Sequence, residues 1–220
     1  MCGKFTQLVE WHDAGPFAGP LAMIPEDVAV IFSTPMRPAK VMILDEGGRR
    51  ELKTMRWGFS KAGARSFTPD HMHARCETVD SKPRFCDAFG ERRGLLMVDT
   101  FNEGEEQANG RNKQWTIRPK DRKAIAIAVI WEEWGDEGPP AFIQITTPAN
   151  ALISKITDRM PAILRQEDWP LWLGEKDAKL SEIKSLLKTF DDGGNWEMAE
   201  QAPAKSKAQK PEPPKQMNLF

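Results

Sequence analysis

Cysteine is scarce in this chain. Three residues, Cys2, Cys76 and Cys86, are spread over 220 positions. An odd count with no framework spacing excludes a disulfide-stapled scaffold and fits reduced thiols in a cytoplasm. Long apolar runs are missing as well. None reaches the roughly 18 residues that a membrane span requires. The first residues lack a leader pattern, because no apolar stretch follows Lys4 and Trp11-His12-Asp13 interrupts early. A large charge excess is also absent. The net charge is −1; four lysines and one glutamate give residues 201–220 a charge of +3 and leave −4 for the remainder. A mildly acidic body argues against a broad nucleic-acid-binding surface but leaves room for a local basic groove. No internal repeat is visible. The absences leave a cytoplasmic monomer: one domain, or one domain with appendages, without membrane contact and with no cofactor expected.

Hydrophobic residues at 40% and eight tryptophans are enough for a sizeable core. Residues 28–33, 41–44, 51–57, 95–98, 115–118, 124–131 and 141–147 read as short strands, with a Gly-Pro-rich turn at 135–140 between the last two. Helical patterns are fewer: 150–156, 166–173 and 181–190, the last with Ser181 as N-cap and Ile183, Leu186, Leu187 and Phe190 on one face. Many short strands with a few late helices predict an α+β fold, mainly antiparallel β. The folded domain is placed at residues 1–198. Residues 199–215 read as a disordered Pro/Ala/Lys linker, and 216–220 as a short apolar peptide at its end.

The chemistry begins at Cys2. Removal of Met1 would leave a thiol and a free α-amine on adjacent carbons. The amine titrates near ~8 and the thiol near ~8.5, so both supply some nucleophile at neutral pH. Such an aminothiol reacts with aldehydes: the amine forms a Schiff base, sulfur adds to it, and a thiazolidine ring closes. Gly3 carries no side chain to block access. His71, His73, Cys76 and Cys86 offer metal-ligand types, but their spacing matches no standard zinc arrangement, and no metal site is assigned.

Four further segments accompany Cys2: Arg56-Trp57-Gly58-Phe59, His73-Ala74-Arg75-Cys76-Glu77-Thr78, Asp99-Thr100-Phe101-Asn102-Glu103-Gly104 and Ile156-Thr157-Asp158-Arg159-Met160-Pro161. With Met1-Cys2-Gly3-Lys4-Phe5, their order and spacing over residues 1–173 resemble the SOS response-associated peptidase (SRAP) family, which forms covalent crosslinks to abasic sites in DNA. The resemblance implies that Cys2 captures the sugar aldehyde and that Glu103 shuttles protons as acid and base. It implies DNA contacts from Gly3, Lys4, Trp57, Arg75 and Arg159, the arginines as forks for phosphate. For Trp57, core packing competes with a base-stacking platform, and for the arginines an internal ion pair, such as Arg75 with Glu77, competes with phosphate. Three places depart from the family pattern, one being the reduced aromatic residues around Glu103, where Phe101 remains but Asn102 and Gly104 flank it. The family's Asn before Ala-Arg is His73 here, and its late His before Asp-Arg is Thr157. Thr157 donates a hydrogen bond but is no base near neutral pH, so His73 is expected to take over that proton transfer.

The terminal Gln216-Met217-Asn218-Leu219-Phe220 resembles the bacterial peptide that docks into the replisome's sliding clamp. Gln216 would bond the pocket rim while Met217, Leu219 and Phe220 fill apolar subsites. The expected protein is therefore an abasic-site sensor acting on single-stranded DNA, cytoplasmic and nucleoid-associated, with possible lyase and self-processing peptidase activity. Two other readings stand beside it: a thiol protease using Cys2, and a clamp-tethered DNA-binding adaptor without chemistry.

Overall fold

The computed structural model describes residues 3–7, 31–60, 69–108, 110 and 112–201. Met1, Cys2, the first residues of the strand expected at 28–33, most of the linker and the 216–220 peptide lie outside them. Twelve strands are seen among the described residues: β1 (Lys4–Gln7), β2 (Ile31–Ser33), β3 (Pro38–Leu44), β4 (Arg50–Trp57), β5 (His73–Arg75), β6 (Arg93–Val98), β7 (Thr100–Glu106), β8 (Asn112–Pro119), β9 (Ile125–Glu132), β10 (Ala141–Pro148), β11 (Arg159–Pro161) and β12 (Trp196–Glu200). The α-helices among them are short: α1 (Cys86–Glu91), α2 (Trp169–Leu173) and α3 (Leu180–Ser185). The mainly antiparallel α+β fold read from the sequence is the fold observed.

Strands β12-β8-β7-β1-β2 form one antiparallel sheet. The second runs β11-β10-β4-β3-β6-β9, and β9 also pairs with β10, so the path β10-β4-β3-β6-β9 closes on itself. Two pairings are parallel, β4 and β5 each with β10. Both faces of the second sheet are buried. Leu96 and Val98 of β6 meet Phe5, Phe101 and Ile117 of the first sheet, while Leu95 and Met97 meet Phe89 of α1 and Trp172 of α2. That double burial explains the continuous apolar run Leu95-Leu96-Met97-Val98, where a half-exposed strand would alternate.

Three differences from the sequence reading have local causes. The strand β7 lies where site residues after a strand were expected. Asp99 is the crossing point between sheets, its N–H bonded to Thr6 O at 2.9 Å, and the chain pairs again at once. The helix expected at 181–190 is α3, about half as long and capped two residues earlier. Lys179 N–H donates to Glu182 Oε2 at 2.8 Å, so Ser181 lies inside the helix, and Ser185 Oγ turns back to Glu182 O at 2.7 Å. The helix expected at 150–156 is a single 3-10 turn, Ile153–Lys155. The folded body also passes the boundary expected at 198. Strand β12 runs to Glu200, and Gln201 bonds both Gln114 O and Thr116 Oγ1.

Candidate active site

The strand nearest the chain start is fixed from its far end. Gln7 is 0% exposed. Its amide donates to Lys40 O at 3.0 Å and Met97 O at 2.8 Å and accepts from Lys40 N–H at 3.1 Å. One side chain thereby ties β1 of the first sheet to β3 and β6 of the second. Phe5 adds an apolar anchor, its ring 5.1 Å from Trp57.

β1 lies between β2 and β7, with Lys4 opposite Asn102, Phe5 opposite Phe101 and Thr6 opposite Thr100. Continued by one residue, that register sets exposed Gly3 beside Glu103. Glu103 is 1% exposed, a rare state for a carboxylate. Because side chains alternate along a strand, Glu103 shares the inward face of Phe101, toward the second sheet. The sequence left open a helix cap or a solvent-facing carboxylate at this position. The structure gives neither: Glu103 is a buried strand residue. Its neighbour Asn102 faces the other way, donating to Thr116 Oγ1 at 2.9 Å and Trp115 O at 3.2 Å.

Opposite, β10 builds a graded wall from three in-register pairs. Phe142 pairs with Trp57, their rings stacked at 6.5 Å. Gln144 pairs with His73 and Thr146 with Arg75. Along this row Trp57 is fully buried, His73 partly exposed and Arg75 exposed, so the wall leads from core to solvent. The His73 imidazole stands edge-on to Trp57 at 6.0 Å. Gly58 makes the wall possible. Its φ of +115° reverses the side-chain order, so that Trp57 enters the inter-sheet core while Phe59, two residues on, enters the helix-covered one.

Two expected DNA contacts are corrected here. Trp57 is 0% exposed and donates its indole N–H to Met72 O at 3.2 Å. A sealed indole offers no face to a base, so packing is its role. Arg159 is 8% exposed, and its guanidinium forks onto Glu77 at 2.6 and 3.0 Å and onto Thr146 O at 2.7 Å. It is committed inside the protein. The ion pair weighed for Arg75 and Glu77 is therefore made by Arg159, and among the described residues Arg75 has no ion pair. The Arg159 fork holds the Glu77 carboxyl down at about 2. Beside it, burial and then the Glu77 charge push the Cys76 thiol up, which makes this 7% exposed sulfur a poor nucleophile.

Lys4 is half-buried on β1, on the strand face opposite Phe5. Thr157 lies past the end of β10, two residues before Arg159, with its N–H on Ile153 O at 3.1 Å. Cys2 and the 216–220 peptide fall outside the described residues. Sequence reasoning missed Gln7 and Gln144. For Gln144 a signal existed: it is the lone polar residue in Ala141-Phe142-Ile143-Gln144-Ile145. Among the described residues no three metal-ligating side chains cluster.

The description "SOS response associated peptidase (SRAP)" matches residues 1–204. Similar curated proteins include two from Bacillus subtilis. The abasic site processing protein YoqW is 28% identical over 197 residues, covering 87% of this chain and 88% of its own. The abasic site processing protein YobE is 28% identical, covering 87% of this chain and 90% of its own. Among solved structures, a protein from Bordetella bronchiseptica superposes with a TM-score of 0.75 at 18% identity, covering 92% of this chain and 100% of its own. One from Bacteroides thetaiotaomicron gives 0.68 at 21% identity, covering 89% and 91%.

Proposed function

The chain belongs to the SOS response associated peptidase (SRAP) family, and from that premise we propose that it processes abasic sites in DNA by capturing the open-chain sugar aldehyde on Cys2. One observation carries the reading. A carboxylate that is 1% exposed sits on the strand beside β1, in the register position of Gly3, one residue along the sequence from Cys2.

The reaction follows from those groups. Once Met1 is removed, the Cys2 amine adds to the aldehyde carbon and gives a carbinolamine. Glu103, as its acid, protonates the departing hydroxyl; water leaves and a Schiff base forms. The Cys2 sulfur then adds to the imine carbon. A C–S bond forms, the nitrogen regains a proton, and the thiazolidine closes. His73, part-exposed on the facing wall, is a second group able to carry a proton. Thr157 is limited to donating a hydrogen bond. Arg75, exposed at the outer end of the wall, and Lys4 hold backbone phosphates without reading sequence.

The test is direct. Incubating the protein with a single-stranded oligonucleotide carrying one abasic site gives a shifted band on a denaturing gel, and Cys2→Ala abolishes it. Native binding without a covalent band in the parent protein sinks the proposal in favour of the adaptor reading. Cleavage of an unrelated peptide by the same preparation supports the thiol-protease reading.

A further inference from the structure

Among the described residues two glutamines are 0% exposed, Gln7 and Gln144. Gln7 has every amide group bonded. Gln144 has neither: its Oε1 and Nε2 are both buried without a hydrogen-bond partner. A leucine there would fill similar space without stranding polar atoms, so an amide in this apolar strand points to a hydrogen bond that is made during function and is not formed in this structure.

Three observations say which partner. Gln144 is in register with His73 across a parallel pair, which sets the two side chains on one face. That face is shared with Phe142, two residues earlier, whose ring stacks on Trp57, and Trp57 in turn holds the imidazole edge-on. The ionisable groups near this face are Arg159 and Glu77, locked to each other, Arg75 further along β5, and Glu103 across the inter-sheet core.

We infer that Gln144 is a positioning residue for His73, able to hold the imidazole through both halves of a proton-transfer cycle. The inference rests on the proposed role of His73 in aldehyde capture. Its chemistry is specific to a primary amide. When the ring is neutral, Gln144 Nε2–H donates to its unprotonated nitrogen. When the ring takes a proton, that nitrogen becomes a donor, and the amide turns to present Oε1. Gln144 can follow both states without changing charge.

The experiment uses the full chain with Met1 removed and its histidines labelled with nitrogen-15. The titration of His73 is followed by NMR in the parent, Gln144→Leu and Gln144→Glu proteins, beside single-turnover capture of an abasic oligonucleotide. Gln144→Glu raises the His73 midpoint by about one pH unit, because a carboxylate favours the charged ring. Gln144→Leu lowers the midpoint and slows capture about tenfold at saturating DNA, with the half-saturating concentration unchanged. Its melting temperature is no lower than the parent's. A His73 midpoint that moves in neither variant, capture by Gln144→Leu at the parent rate, or a lower melting temperature in Gln144→Leu each overturns the inference. If the parent captures no abasic DNA, the proposed function fails, while the His73 midpoints still decide whether Gln144 holds that ring.

Discussion

Glu103 and Arg159 are ionisable side chains, both nearly sealed from solvent; the arginine is held in a fork on Glu77 that joins separate segments, while Glu103 is proposed to serve the capture step. That contrast separates chemistry from architecture at the scale of single residues. Replacing Glu103 by Gln keeps shape and removes the proton, so capture at saturating DNA slows by about 10²-fold while the protein still melts as before; single-turnover gels measure it. Arg159→Ala behaves oppositely. It takes away the bond to the buried Thr146 carbonyl and leaves a cavity, and lowers stability by about 2 kcal/mol in denaturant titration. Arg75→Ala leaves the fold intact but weakens DNA binding evenly across sequences and reduces the log–log salt slope by about 1. The Glu77 carboxyl adds an acid limb. Its folded value of about 2 lies below the ordinary 4.5, so its stabilisation is present above pH 4.5 and lost as pH falls toward 2. Melting temperatures of Glu77→Gln and the parent therefore converge over that window and separate above it.

At the scale of elements, the site depends on how strands leave regular geometry. Gly58 ends β4 in the left-handed region, and a Cβ there would stand 2.5 Å from Pro69 Cβ. Gly58→Ala combines backbone strain with that clash and costs at least about 2 kcal/mol, read as a lower denaturation midpoint. The sequence shows this glycine plainly, because Trp57-Gly58-Phe59 ends an alternating strand. The crossing at Asp99 was less legible. The continuous apolar run tells that residues 95–98 are buried, but it is consistent with either a loop or a new strand after them. Only pairing with β1 and β8 makes β7 a strand, and the pairing with β1 joins residues about 95 positions apart in the chain. The short helices erred in length for a related reason. An apolar stripe at helical spacing marks which residues reach the core, while hydrogen bonds from Glu182 and Ser185 decide where the turn of helix begins and stops.

At the scale of the whole molecule, two sheets meet through Phe5, Trp57 and Phe101, and the proposed chemistry sits at the edge of that seam. Gln7 spans the seam, so Gln7→Leu strands the Lys40 and Met97 backbone groups and destabilises the fold by about 3 kcal/mol in chemical denaturation, with capture lost in step with folding. The chain's last five residues make a separable prediction. If residues 216–220 dock into a bacterial sliding clamp as their resemblance implies, deleting them abolishes pull-down by the clamp and leaves capture on naked DNA intact. Undiminished clamp binding after their deletion would refute that assignment.

Local order was enough to determine several things: an α+β body rich in antiparallel strands, a cysteine at position 2, and the motifs around Glu103, His73 and Arg75. These are properties of spacing and residue type, and spacing survives in one dimension. Tertiary structure alone decided which arginine answers Glu77, that Trp57 is walled in, and that Gln144 and His73 share a face. Those facts depend on register between strands that the chain visits at distant points, and a register shift of one residue would turn every one of these side chains to the opposite face.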